Sequence, residues 1–179
     1  MPPDPQPLQQ LGPIDLGTLR HPKILGSPLR TSTRIWIDEA GCAADAATLA
    51  ARPALRDAFI ALDGPLGAGK TTFVRHLLRA LGVAGRIKSP TYAVLEPYEI
   101  NGLSVSHFDF YRFSDPRDWA DAGFRDVFAA PGLKLAEWAG NARGQLPVPD
   151  LSITITPGAD AQREAIFSAH SPCGLALLP

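Results

Sequence analysis

Gly64-Pro65-Leu66-Gly67-Ala68-Gly69-Lys70-Thr71 fits the pattern G-x-x-x-x-G-K-[ST] at every position. Glycine spacing of this kind lets the backbone bend so that successive N–H groups turn inward, and a following helix adds the positive end of its dipole. Main-chain amides from Leu66, Gly67, Ala68, Gly69, Lys70, Thr71 and Thr72 are therefore the expected cradle for a polyphosphate. Lys70 supplies a mobile charge for the outer phosphates, and the Thr71 hydroxyl is placed to ligate Mg²⁺. The plain alternative is a glycine-rich turn with a solvated lysine.

Flanking residues favour the first reading. Phe59-Ile60-Ala61-Leu62 reads as a buried strand leading into the loop. Phe73, Val74, Leu77, Leu78 and Leu81 fall on one face of a helix that leaves it, with Gly82 as the stop. Strand, glycine loop and helix form the context this motif requires.

A phosphate loop also needs carboxylates for its metal. Asp109 ends the run Leu103–Asp109, at the strand end that faces the ligand crevice in open α/β sheets. It is read as holding Mg²⁺ directly or through water, against the alternative of capping the next turn. Glu137 ends Leu133-Lys134-Leu135-Ala136-Glu137 in the same manner. It either ligates the metal or orients the attacking water, unless it serves a structural ion pair with an arginine.

Thr91 lies in the extended loop Arg86–Tyr92, where Pro90 keeps Ser89 out of helical geometry. It either closes over the γ-phosphate or bonds locally to its own turn. Arg112 either faces transition-state charge or points outward, and the outward reading is the stronger. Trp138 and His107 read as packed residues. His21, His76 and His170 show no ligand spacing.

The remaining elements must position these groups. Thr33–Asp38 reads as a first strand and Ala43–Ala51 as a short helix ended by Pro53. Val94–Ile100 and Leu103–Asp109 form a hairpin about Asn101-Gly102. Ser114-Asp115-Pro116 opens a helical stretch. Leu151–Thr156 and Ala165–Ala169 are late strands. The sum is an α/β fold with a mixed central sheet that includes a β-hairpin. Residues 1–30 hold seven of the 18 prolines and read as a flexible extension. Residues 31–170 form the domain, and 171–179 read as a loose tail.

Composition removes several classes. With 17 basic and 18 acidic residues the net charge is −1, so no broad cationic surface for nucleic acid exists. Cys42 and Cys173 suit a reducing cytosol, and neither an apolar run long enough for a bilayer nor a signal peptide is present, so a cytoplasmic protein is expected. The absence of Asn-Lys-x-Asp argues against a guanine-specific GTPase. A small-molecule or nucleoside kinase is the alternative, weakened by the lack of an arginine-rich lid.

Four motifs in order carry a closer likeness. Gly64–Thr72, Lys88-Ser89-Pro90-Thr91-Tyr92, His107-Phe108-Asp109-Phe110-Tyr111-Arg112 and Glu137-Trp138 closely resemble the bacterial TsaE family (formerly YjeE), from about Thr33 to Ala169. The resemblance implies a three-layer P-loop fold and a small ATPase needed to make threonylcarbamoyladenosine in tRNA. It implies ATP and Mg²⁺ as cofactors and a TsaD–TsaB pair as partner, with tRNA met only through that complex. ATP hydrolysis then resets the complex, while the transfer chemistry belongs to TsaD. On this resemblance Lys70 binds phosphates, Thr71, Asp109 and Glu137 surround Mg²⁺, Thr91 belongs to a nucleotide-sensing loop, and Trp138 lies beside the active centre. The base is expected near Asp38–Gly41. Pro65 departs from the family's frequent aspartate and cannot donate an amide hydrogen. Ala139 stands where proline, glycine or a polar residue is commoner.

Overall fold

The computed structural model describes residues 27–113, 119, 122–142 and 144–179. The proline-rich segment up to residue 26 and the Ser114-Asp115-Pro116 helix start lie outside the described residues.

Strand β1 (Arg30–Trp36) precedes helix α1 (Glu39–Ala50), and a 3₁₀ turn over Pro53–Asp57 leads into β2 (Phe59–Asp63). Helix α2 (Lys70–Leu81) follows the glycine loop. Next come β3 (Leu95–Ile100), β4 (Leu103–Asp109), α3 (Phe124–Ala129) and β5 (Leu133–Glu137). A 3₁₀ turn at Ala139–Ala142, then β6 (Leu151–Pro157), β7 (Arg163–Ala169) and α4 (Pro172–Leu177), complete the described chain.

The seven strands form one sheet in the order β1-β7-β6-β2-β5-β4-β3. β2 runs parallel to β5 and β6, and β4 runs parallel to β5. The pairs β3–β4, β6–β7 and β1–β7 are antiparallel. Both faces are covered, which is why Phe59–Leu62 of β2 reads as an unbroken apolar run instead of an alternating one, and every residue of β5 is buried, Lys134 and Glu137 included. On one face Ile60 and Leu62 pack with Trp36, Phe73, Leu77 and Phe167. On the other Phe59 and Ala61 pack with Phe108, Phe110, Trp119 and Phe124. Each fully buried Phe or Leu contributes about 1.5–3 kcal/mol.

Local chemistry sets the boundaries. The first strand begins at Arg30, earlier than the sequence suggests, because Leu29 N already donates to Ala169 O at 2.8 Å. It ends at Trp36 because Asp38 turns back to cap α1, accepting from Gly41 N at 3.0 Å. The hairpin turns at Asn101 and Gly102, both at positive φ (50° and 72°).

The loose-tail reading of 171–179 is overturned. Ser171 Oγ accepts from Gly174 N at 3.1 Å, Pro172 occupies the first turn, and Leu177 is buried. The segment covers the apolar flank of the core beside β6 and β7, which a disordered tail would leave wet.

Candidate functional site

Register brings the reactive groups to one edge of the sheet. Leu62 on β2 pairs with Glu137, and Glu137 pairs with Asp109 on β4. Both carboxylates therefore stand at the same end of the parallel strands as the loop that leaves β2.

The loop's course depends on Gly64. Its φ is +138°, and a Cβ there would come within 2.1 Å of Ile155 O. Only glycine lets the chain leave β2 this close to β6. Gly69 then leads directly into Lys70, the first residue of α2.

A cleft of about 300 Å³ opens over the loop, lined by Leu66, Gly67, Gly69, Lys70, Thr71, Thr72, Ser89, Thr91, Asp109, Tyr111, Glu137 and Trp138. Thr71 Oγ1 donates to Glu137 Oε2 at 2.8 Å. Lys70 Nζ donates to Gly64 O at 2.7 Å and Pro65 O at 2.9 Å, and sits 3.9 Å from the Trp138 ring centroid. Burial holds the Lys70 ammonium below the ordinary lysine value, while Glu137, Asp109 and Asp63 pull the other way. The site thus contains a desolvated cation, which favours a polyanionic ligand.

Asp109 organises the third wall. Its Oδ2 accepts from Thr91 Oγ1 at 2.7 Å and from Ser89 Oγ, and its Oδ1 accepts from Tyr111 N at 2.9 Å. Backbone bonds reinforce this latch. Asp109 N donates to Val94 O at 2.9 Å, and Val94 N donates to Pro90 O at 2.6 Å. Val94 holds φ +65°, a conformation costing a β-branched residue about 1–3 kcal/mol.

Of the residues singled out in the sequence, Leu66, Gly67, Gly69, Lys70, Thr71, Thr72, Thr91, Asp109, Glu137 and Trp138 all line this cleft. Ala68 does not. Its amide donates to Pro65 O at 3.1 Å, and it lines a neighbouring cavity of about 200 Å³ instead. That cavity is bounded by Trp36, Asp38, Glu39, Cys42, Ala161 and Arg163, and shares Gly67, Gly69 and Thr72 with the cleft. Thr91 bonds to Asp109, not merely to its own turn. Glu137 pairs with His107 and Thr71 instead of an arginine. Arg112 points away, 4.6 Å from the ring of the exposed Tyr92.

Three participants escaped the sequence reading. Ser89 was legible as the residue before Pro90, in a motif already singled out. His107 sits two residues before Asp109, hence on the same strand face. Arg163 donates from Nε to Ala68 O at 3.2 Å, a link across 95 residues that no local signal announces.

The donor set suits a hard cation. Thr71, Asp109 and Glu137 offer only oxygen, and among the described residues no group of three His, Cys, Asp or Glu forms an all-protein metal cage. Mg²⁺ is commonly held by one or two carboxylates, with waters and substrate phosphates filling the rest.

The fold and the loop define a P-loop protein. A solved structure of YdiB from Bacillus subtilis superposes with a TM-score of 0.70 at 28% identity, covering 83% of this chain and 91% of that one. The profile described as "Threonylcarbamoyl adenosine biosynthesis protein TsaE" matches residues 38–165, and the chain belongs to that family. The tRNA threonylcarbamoyladenosine biosynthesis protein TsaE of Haemophilus influenzae is 43% identical over 101 residues, 56% of this chain and 64% of that protein's length. Its namesake from Bacillus subtilis is 37% identical over 110 residues, 62% of this chain and 68% of that protein. Among the described residues no helix is long and apolar enough to cross a membrane.

Proposed function

We propose that this chain is a Mg²⁺-dependent ATPase that serves tRNA threonylcarbamoyladenosine formation in the cytoplasm by binding, and on hydrolysis releasing, a TsaD–TsaB-type heterodimer. One observation carries the reading. Lys70, Thr71, Asp109 and Glu137 converge on a single cleft at the start of α2.

In this mechanism the triphosphate lies along the loop. Lys70 exchanges its two carbonyl bonds and the Trp138 ring for oxygens of the outer phosphates. Thr71, Asp109 and Glu137 would hold Mg²⁺, which when bound neutralises phosphate charge. Glu137, hidden from bulk solvent, is also placed to orient a water for attack on the terminal phosphorus. The new P–O bond forms as the bond to the leaving diphosphate breaks. The neighbouring cavity behind Gly67 and Gly69 takes the base.

Partner gating follows from the Asp109 latch. Thr91 and Ser89 are bonded to the same carboxylate that serves the ion, so loading the site competes with the latch. Tyr92, 85% exposed and carrying Arg112 on its ring, moves whenever Thr91 is released. Nucleotide state is thereby written onto an exposed surface.

The test is reconstitution of tRNA modification with purified TsaD–TsaB, with this chain or its Lys70→Ala variant. The variant is expected to lose ATP binding in a calorimetric titration and to fail in modification. Equal affinity for the heterodimer with and without ATP would remove the gating. Phosphate transfer to a metabolite instead of water would replace the reading with a kinase.

A further inference from the structure

His107 takes no part in the chemistry above, yet it is fully buried. Its Nε2 lies 2.9 Å from Glu137 Oε1, while Thr71 occupies the other oxygen, Oε2, at 2.8 Å. The register explains the contact. His107 pairs with Leu135 across β4–β5, and Glu137 is the next residue along on the same face.

The ring's other nitrogen settles the hydrogen. His107 Nδ1 is buried with no hydrogen-bond partner. A hydrogen there would be an orphan donor bearing its full desolvation penalty, whereas a bare lone pair is tolerated more readily. The hydrogen therefore sits on Nε2 and is donated to Glu137. Oε1 is committed to the imidazole, and Oε2 is left turned toward Thr71.

We propose that His107 is the positioning residue of the site: its Nε2–H fixes the Glu137 side chain so that one defined oxygen faces the ion. This rests on the reading of Glu137 as a ligand or water-orienting group. Outer residues of this kind tune metal affinity without touching the metal.

Two measurements on the full chain test it. The first is ¹⁵N NMR of the histidine ring in protein free of nucleotide and metal. The Nε2–H tautomer is expected, and an Nδ1–H tautomer overturns the proposal. The second is Mn²⁺ affinity in the presence of a non-hydrolysable ATP analogue, with analogue binding measured separately without metal. His107→Leu should weaken Mn²⁺ by about 10–100-fold, and His107→Gln, whose amide can reach the same carboxylate oxygen, should stay within about threefold of wild type. Metal-free analogue binding should be the same in all. Mn²⁺ affinity unchanged in His107→Leu, or lost equally in His107→Gln, overturns the proposal. Should the Leu variant fail to fold, His107→Asn substitutes, since its shorter amide falls away from Oε1 and should behave like the leucine. Wild-type protein that takes no Mn²⁺ with the analogue refutes the metal site itself. Normal wild-type binding with an indifferent Leu variant refutes the role of His107 alone.

Discussion

Replacing Gly64 by alanine is the sharpest test of how the loop is held. The added Cβ would stand 2.1 Å from Ile155 O, 0.9 Å inside the 3.0 Å limit that real Cβ atoms respect (3.0 − 2.1). Ile155 is in β6, paired on its far side with β7, so the obstacle is backbone that cannot swing away. Two costs add: about 1–3 kcal/mol for a non-glycine residue at this φ, and about 1–3 kcal/mol for forcing a packed interior apart. The sum, about 4 kcal/mol, corresponds to a fall of about 8–16 °C in the thermal midpoint for a chain of this size. Gly67→Ala is the control. Its φ is +77° and nothing lies within 4 Å of the added carbon, so only backbone strain of about 1–2 kcal/mol applies. Differential scanning calorimetry of both variants separates the terms. Equal losses in the two proteins, or a Gly64→Ala midpoint within about 2 °C of wild type, would refute the argument that the loop is seated against β6.

Other outcomes follow from the same structure. Trp138 stacks under the Lys70 ammonium at 3.9 Å, so nucleotide that draws Lys70 away should change tryptophan emission. Trp138→Phe should abolish the change, and a signal that persists would place the reporter at Trp36 or Trp119. Burial, with Glu39 and Asp45 adding to it, pushes the Cys42 thiol from 9.0 up to about 12. Its contribution to stability is intact below pH 9, where both states keep the proton, and drains from pH 9 toward 12 as only the unfolded chain ionises. Cys42→Ala should flatten the decline of the urea midpoint between pH 9 and 11, and an unchanged slope would count against it. Leu177→Ala should cost about 2–5 kcal/mol in urea unfolding, because the side chain is buried beneath α4. A loss under about 0.5 kcal/mol would restore the loose-tail reading.

Legibility in the sequence followed the range of the forces involved. The loop from Gly64 to Thr71 and the helix after it were readable because they are specified by neighbours in the chain. Asp109 and Glu137 were readable because strand ends in α/β sheets face the crevice. His107 was not, because its meaning lies in a cross-strand diagonal to Glu137 that requires the β4–β5 register. Arg163 was beyond reach for the same reason, whereas Ala68 misled at short range. Ala68 looked like one more amide of the cradle, yet Pro65 O takes its hydrogen. Helix α4 failed differently. Six residues are too few to show periodicity, and the usable signal was the Ser171-Pro172 start, a capping hydroxyl followed by proline. The positive φ of Val94 and Trp138 had no local signature at all.

The strand that carries the phosphate loop is seated between two strands made much later, β5 and β6, and β1 closes only on β7. Synthesis on the ribosome is therefore out of step with assembly. At about 5–20 residues per second, Arg30 waits roughly 7–28 s for its partner Ala169. Once Thr71 has been added the whole glycine motif exists, but β2 gains its first hydrogen-bonded neighbour only with β5 (Leu133–Glu137) and its second only with β6 (Leu151–Pro157). A nascent chain halted before Leu133 would carry the whole motif and yet lack Glu137 and Trp138 of the cleft. The cleft is therefore complete only 67 residues after the motif that opens it (138 − 71).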